Sequence, residues 1–258
     1  MAFLLPVLFT CDAITNFIIS DEDEITLGQK FRAQICADAV NYPLYTKDTA
    51  VINYIQLMGQ AIADAQSDRK NIPFSFTIID SNIVNAFSLP GGPVFVYRGL
   101  LKDARSGAEV AGVLAHEIGH ITMRHAAKKL AEAYGVQIID QILFGSDSSA
   151  AAIIANLLAG MAFLKVGRDN EYQADSCGVA YSVLTRYNSY GIKNFFQTLY
   201  NLYGDTPFEL FSDHPATSER ISNVQRLINK TPGVPPGVPP NDTTWMHQAD
   251  YAVILSKL

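Results

Sequence analysis

Charge is scarce in this chain, and positive charge is scarcest. Charged residues make up 17% of its 258 residues, with 19 Lys and Arg against 25 Asp and Glu. The formal net charge is -6, and no basic stripe with interleaved aromatics is present. Phosphate binding needs clustered Lys and Arg, so a nucleic-acid partner is argued against. Cysteine is rare as well. Cys11, Cys36 and Cys177 match no CxxC metal pattern and no disulfide framework, and they allow one disulfide at most. No apolar run reaches membrane-spanning length. The strongest, Ala150 to Leu164 within residues 149–166, is broken by Asn156. At about 1.5 Å per residue it spans roughly 22 Å, short of a hydrocarbon core of roughly 30 Å, which predicts a buried or interfacial helix. No repeat of solenoid length occurs.

What is abundant is apolar surface. Hydrophobic residues make up 48% of the chain, enough for one large domain or two subdomains sharing a cleft. The surplus also suits peripheral contact with a membrane. Residues 1–20 begin with the apolar run MAFLLPVLFT, which ends at Cys11 without a preceding positive charge. Only the apolar part of an export signal is visible there. Leu8-Phe9-Thr10-Cys11 loosely resembles a bacterial lipobox, which would lipidate Cys11. The competing reading is a plain N-terminal or export segment.

Three divisions are expected: the N-terminal apolar segment at 1–20, a main domain at 21–230, and a Pro-rich spacer with a tail at 231–258. Ser20 followed by Asp21, Glu22 and Asp23 is a helix start, because a hydroxyl cap and negative charge suit a helix N-terminus. Helical spacing then continues through Ile25, Phe31, Ile35 and Val40, over residues 21 to 41. A second amphipathic helix is predicted over 48–66, with Val51, Ile52, Ile55, Met58 and Ile62 on one side. The period then changes. Phe74 to Asp80 reads as a strand, as do Asn85 to Leu89 and Val94 to Tyr97, and the turn Pro90-Gly91-Gly92 joins the last two as a hairpin. Beyond Gly99 the pattern is helical to about residue 230. PGVPPGVPP at 232–240 reads as an extended spacer. The tail carries Trp245 and Tyr251, which suit docking onto the body.

The chemistry lies in His116-Glu117-Ile118-Gly119-His120. A helix predicted from about Gly107 to Glu132 places both histidines one above the other, so two imidazoles meet one tetrahedral ion. Glu117 stands beside them, free to act as base toward a metal-activated water. Alone, HExxH also arises by chance on surface helices. The third ligand comes from Glu171-Tyr172-Gln173-Ala174-Asp175. Its two carboxylates are four residues apart on one helix face. Glu171 is the expected zinc ligand, and Asp175 is expected to accept a hydrogen bond from the far nitrogen of a ligating histidine. His125, five residues after His120, turns to another face of a continuous helix and reads as structural or solvent-facing. His247 in the tail reads as incidental.

HEIGH followed by EYQAD resembles the gluzincin metallopeptidases. Within them, NAFSLPGG upstream and SDHPATSER downstream are similar to the CAAX prenyl protease type 1 and HtpX-type family. The similarity runs from about Ser20 to Lys230. The membrane-embedded members carry several spanning helices, so the chain looks like a shorter branch of bacterial envelopes, and prenylated substrates are not implied. The resemblance implies a zincin-like α+β fold, mostly helical, with a small mixed sheet packed on the HExxH helix and a helical second half. It also implies that Asn85, Ala86 and Phe87 form an edge strand to which a substrate peptide adds. It places His214 and Arg220 near the zinc as oxyanion donors, with His214 also able to bind the metal in a resting state.

The expected activity is zinc-dependent endoproteolysis of polypeptides, with one Zn2+ per chain, in the periplasm. The targets would be misfolded or envelope proteins. Two rivals stand beside it. A binding protein with a structural zinc has no need of Glu117 as a base. A zinc hydrolase of non-peptide bonds has no need of an edge strand.

Overall fold

The computed structural model describes residues 19–66, 68–160, 167–204, 218–231 and 243–258. The N-terminal run through Cys11, the His214-Pro215 segment and the 232–240 spacer lie outside the described residues. Helix α1 (Asp21–Ala37) starts as expected: Ser20 Oγ accepts the Asp23 N–H at 3.1 Å while the Asp23 carboxylate accepts the Ser20 N–H, a capping box. It stops earlier than the apolar spacing suggested. Asp38 accepts bonds from both the backbone and the side chain of Asn41, which turns the chain and leaves Val40 90% exposed. Helix α2 (Thr49–Ala65) is capped by Asp48 and buries Val51, Ile55, Met58 and Ile62, whereas Ile52 is half-buried.

The sheet is mixed and small. Strands β1 (Ser75–Ile79), β2 (Ala86–Ser88) and β3 (Pro93–Tyr97) pair in the order β1-β3-β2. β1 runs parallel to β3 and β2 antiparallel to it. Gly91, at φ +69, allows the turn into β3, and its open Cα lies against the backbone of Glu24 and Ile25, where a Cβ would collide. β3 is buried on both faces. Val94 and Val96 join the apolar cluster that includes Val110, Leu114 and Ile118. Phe95 and Tyr97 join a second cluster with Leu27 and Phe31 of α1. The period-2 alternation of one strand therefore serves two cores.

The rest of the described chain is helical: α3 (Arg98–Asp103), α4 (Gly107–Thr122), α5 (His125–Tyr134), α6 (Val136–Phe144), α7 (Asp147–Gly160), α8 (Arg168–Leu184), α9 (Gly191–Tyr203), α10 (Ser218–Lys230), α11 (Thr243–Met246) and α12 (Gln248–Leu255). The described part of the apolar run, up to Gly160, lies in α7, where Ala150, Ile154, Leu157 and Leu158 are buried, and its last residues lie outside the described residues. Among the described residues no helix is long and apolar enough to cross a membrane. Cys36 and Cys177 are free thiols. The tail packs on the body: the Asn188 N–H donates to Trp245 O at 3.0 Å, and Tyr251 is buried with its hydroxyl on Leu101 O.

The helix expected from Gly107 to Glu132 is instead two helices. Arg124 sits between them at φ 61 and ψ 28, the left-handed region. A side chain there costs about 1–2 kcal/mol. Arg124 offsets this through Nε on Glu24 Oε2 at 2.9 Å and a guanidinium bond to Ile19 O. The same Glu24 also pairs with Arg69, whose Nη1 donates to Ile121 O at 2.9 Å, at the end of α4. Tertiary charge pairing, rather than a local breaker residue, sets the break.

Candidate metal centre

Every residue of α4 is buried. Ser106 caps its first turn through the Glu109 N–H. Its glycines allow close neighbours: at Gly119 a Cβ would fall 2.6 Å from Cys177 Cβ, so α8 lies against the histidine-bearing turn of α4. That contact brings Glu171 to the two histidines.

His116, His120 and Glu171 are all buried and form the one potential metal-holding group among the described residues. His116 Nε2 and His120 Nε2 are 3.0 Å apart, and each lies 3.6 Å from a Glu171 oxygen. Ligands at roughly 2.0–2.1 Å around a tetrahedral ion are separated by roughly 3.3 Å, so the three donors fit a zinc-sized site. Charge agrees with the spacing. Glu117, Glu171 and Asp175 face a single buried guanidinium, that of Arg220. Formally two negative charges are left over, which a divalent cation balances.

The surrounding contacts are specific. His116 Nδ1 is 3.1 Å from Asp175 Oδ1. Burial opposes charge on His116, but the hydrogen bonds to Asp175 and Glu171 outweigh it and raise the imidazole to about 9. The negative field that would hold that proton is equally available to a cation. Burial also works against the Asp175 charge, yet Arg220 and His116 hold its carboxyl below the usual range. Arg220 reaches Asp175 with Nε at 3.0 Å and Nη2 at 2.6 Å, and Glu171 with Nη1 at 2.8 Å, while its plane lies 4.4 Å from the Phe196 ring centroid. Each of its three nitrogens is thus engaged by a carboxylate of this cluster.

Glu117 is fully buried and accepts a hydrogen bond from Ser88 Oγ at 2.9 Å. Ser88 was not among the residues singled out in the sequence. The signal was there: alternation along NAFS turns Ser88 away from the side that Phe87 takes, toward α4. β2 is the sheet edge by pairing, but it is not the open edge expected. Ala86 and Phe87 are fully buried and Asn85 is 7% exposed. Phe87 stacks on Phe95 at 5.0 Å in the second core, so its side chain is turned away from the strand's outer edge. Tyr97 N–H donates to Asn85 O, and Leu89 N–H to Pro93 O, which directs the backbone groups of Ala86 and Ser88 outward. Asn85 Oδ1 takes the Ala86 N–H at 2.9 Å.

His125 differs most from expectation. It is 1% exposed, its Nδ1 lies 2.8 Å from His120 Nδ1, and its Nε2 lies 3.1 Å from Gln173 Oε1. Burial pushes its imidazole down to about 4. The break at Arg124 returns it to the metal-facing helix. His247 stays apart, its ring tilted against that of Tyr187 with centroids 4.6 Å apart.

The model of the family described as Peptidase family M48 matches residues 50–228. A β-barrel assembly-enhancing protease of Yersinia pestis is 30% identical over 240 residues, covering 88% of this chain and 48% of that protein. The mitochondrial metalloendopeptidase OMA1 of Arabidopsis thaliana is 30% identical over 158 residues, covering 60% of this chain and 32% of that protein. Metalloprotease YcaL of Escherichia coli K12 is 26% identical over 160 residues, covering 60% of this chain and 63% of that protein. The chain spans about half the length of the Yersinia relative. With the matched region holding both HEIGH and EYQAD, the chain belongs to peptidase family M48.

Proposed function

We propose that the chain is a zinc metalloendopeptidase that hydrolyses misfolded or envelope proteins. The observation that carries this reading is the buried triangle of His116, His120 and Glu171 with Glu117 one residue away on the same helix. These three side chains would hold one Zn2+. When bound, the cation supplies Lewis acidity to the scissile carbonyl and makes attacking water more acidic. Glu117, steadied by the Ser88 hydroxyl, takes the proton of the attacking water and delivers it to the leaving amine nitrogen. Asp175 holds His116 in the tautomer that carries its proton on Nδ1 and keeps the Nε2 lone pair on the side of His120 and Glu171, where it would serve as a ligand.

Arg220 is assigned to the ligands rather than to the oxyanion. Its contacts with Glu171 and Asp175 fix the carboxylates and moderate their mutual repulsion. His214 keeps the oxyanion role that the SDHPATSER resemblance implies. The substrate backbone is placed along β2 beside Glu117, against the outward groups of Ser88 and, once the Asn85 carboxamide gives way, of Ala86. Extended polypeptide is the substrate class that such pairing suits, which favours peptide over non-peptide bonds.

The test uses the purified 258-residue chain. About one zinc per chain is expected, and a chelator abolishes cleavage of an unfolded protein. Glu117→Gln keeps the metal and loses turnover by about 10²- to 10⁴-fold, whereas His116→Ala and Glu171→Ala lower metal content. Full turnover by Glu117→Gln would defeat the mechanism, and metal binding without any proteolysis would favour a binding protein. An envelope location, periplasmic and peripheral, is part of the proposal, with lipidation of Cys11 as the alternative mode of attachment. It is supported by the N-terminal apolar run and by bacterial relatives named for β-barrel assembly. Fractionation tests it, and an unprocessed cytosolic product would reject it.

A further inference from the structure

The two ligand histidines are supported unequally. His116 has Asp175 behind it. Behind His120 stands another imidazole, His125, which no sequence pattern had pointed to. In a continuous helix His125 would lie about 140° around the axis from His120, out of reach. The left-handed Arg124, held by Glu24, ends α4 and starts α5 at His125, so the ring folds back onto His120.

The proton positions then follow in one direction. His120 Nε2 faces His116 and Glu171, so its lone pair must be kept for the cation. Its proton therefore sits on Nδ1, and that N–H points at His125 Nδ1, 2.8 Å away. His125 must present a lone pair there, which leaves its own proton on Nε2. That N–H meets Gln173 Oε1 at 3.1 Å. The three side chains form a chain of donors and acceptors with one consistent set of protons, ending on a group that is always an acceptor at its oxygen.

We propose that His125 is the positioning residue of His120, fixing its tautomer and ring plane through an Nδ1–H···Nδ1 bond, and that Gln173 fixes His125 in turn. The inference rests on the metal-site reading above. The helix α8 then supplies a ligand, Glu171, and a backing for each histidine: Asp175 directly for His116, and Gln173 through His125.

The zinc-loaded full chain, with 15N-labelled histidine, is the material for the test. Nuclear magnetic resonance is expected to find His120 protonated at Nδ1, with a scalar coupling across the bond to His125 Nδ1. Chelator competition is expected to give a metal affinity about 10- to 100-fold lower in His125→Ala. His125→Gln, which restores an acceptor, recovers most of that loss. Gln173→Leu reproduces part of it, and Gln173→Glu, which keeps the acceptor oxygen, does not. Gln173→Leu also serves if His125→Ala fails to fold. A wild-type chain that takes up no zinc overturns the metal-site reading itself. A zinc-loaded chain whose His120 Nδ1–H exchanges freely, with no coupling and with unchanged affinity in both removal variants, overturns the role of His125 alone.

Discussion

The two sides of the metal centre are built from different chemistry. On the His116 side, contacts are ionic: Asp175 and Glu171 share the guanidinium of Arg220, and all are buried. Behind the Nδ1 of His120, the contacts run through neutral groups, His125 and Gln173. The difference teaches where each half is vulnerable. A buried ionic cluster is held by balance, so losing one member leaves an uncompensated charge. A neutral chain is held by direction, so losing one member leaves an unmet donor or acceptor.

The sharpest way to break that contrast is to remove the cation of the ionic side. Arg220→Leu leaves Glu171 and Asp175 facing one another without it, and the stability of the metal-free protein should fall by about 3–5 kcal/mol. Urea unfolding at pH 7 measures it. A loss below about 1 kcal/mol would mean that the two sides are held alike.

A buried carboxylate on α4 without a guanidinium in contact sharpens the contrast next. Glu109 accepts the Arg105 N–H at 3.0 Å and lies 3.5 Å from Thr198 Oγ1. Burial pushes it up to about 7, against the lowering by the Arg105 N–H and charge and by the Thr198 hydroxyl. A carboxyl raised in the folded state binds its proton there while the unfolded chain has released it. Its stabilising contribution is therefore complete below the ordinary value of 4.5 and is lost as pH rises through about 7. Glu109→Gln should leave stability unchanged at pH 4 and raise it by up to about 3 kcal/mol at pH 8. Thermal unfolding at the two pH values checks the sign, and an equal effect at both would refute the burial argument.

The smallest expected effect concerns the hydroxyl that steadies the base. Ser88→Ala should lower kcat by about tenfold, with KM and zinc content unchanged, since one hydrogen bond to a charged group is removed. Ser88→Thr, which keeps the hydroxyl, should recover most of the rate. A rise in KM without a fall in kcat would assign Ser88 to substrate binding instead.

Local chemistry made much of this legible. Four-residue spacings put His116 with His120 and Glu171 with Asp175. The cap at Ser20 and the Gly91 turn are chemical signals that need no tertiary context. Other features were not readable for a physical reason. Apolar spacing continues past Met123 with no Gly, Pro or Asn to mark a stop. The break at Arg124 exists because Glu24 and Ile19, more than 90 residues earlier, hold its guanidinium. With the break went His125, which periodicity had sent to the wrong face. Arg220 was legible as a residue but not as a partner of Glu171 and Asp175, since nothing in an arginine's spacing says which carboxylates it meets. Val40 failed for the opposite reason: its spacing was right, but the Asp38 turn had already ended the helix.

Asn85 bears on a different problem, that of solubility. A sheet edge with open amides is a template on which a second chain can grow, and proteins that keep one must guard it. Here one of the outward amides, that of Ala86, is already occupied by the carbonyl of its neighbour's side chain. A passing strand meets a filled donor and gains nothing by exchanging one amide bond for another. A single carboxamide thereby removes one rung from the template that this edge would otherwise offer to a second chain.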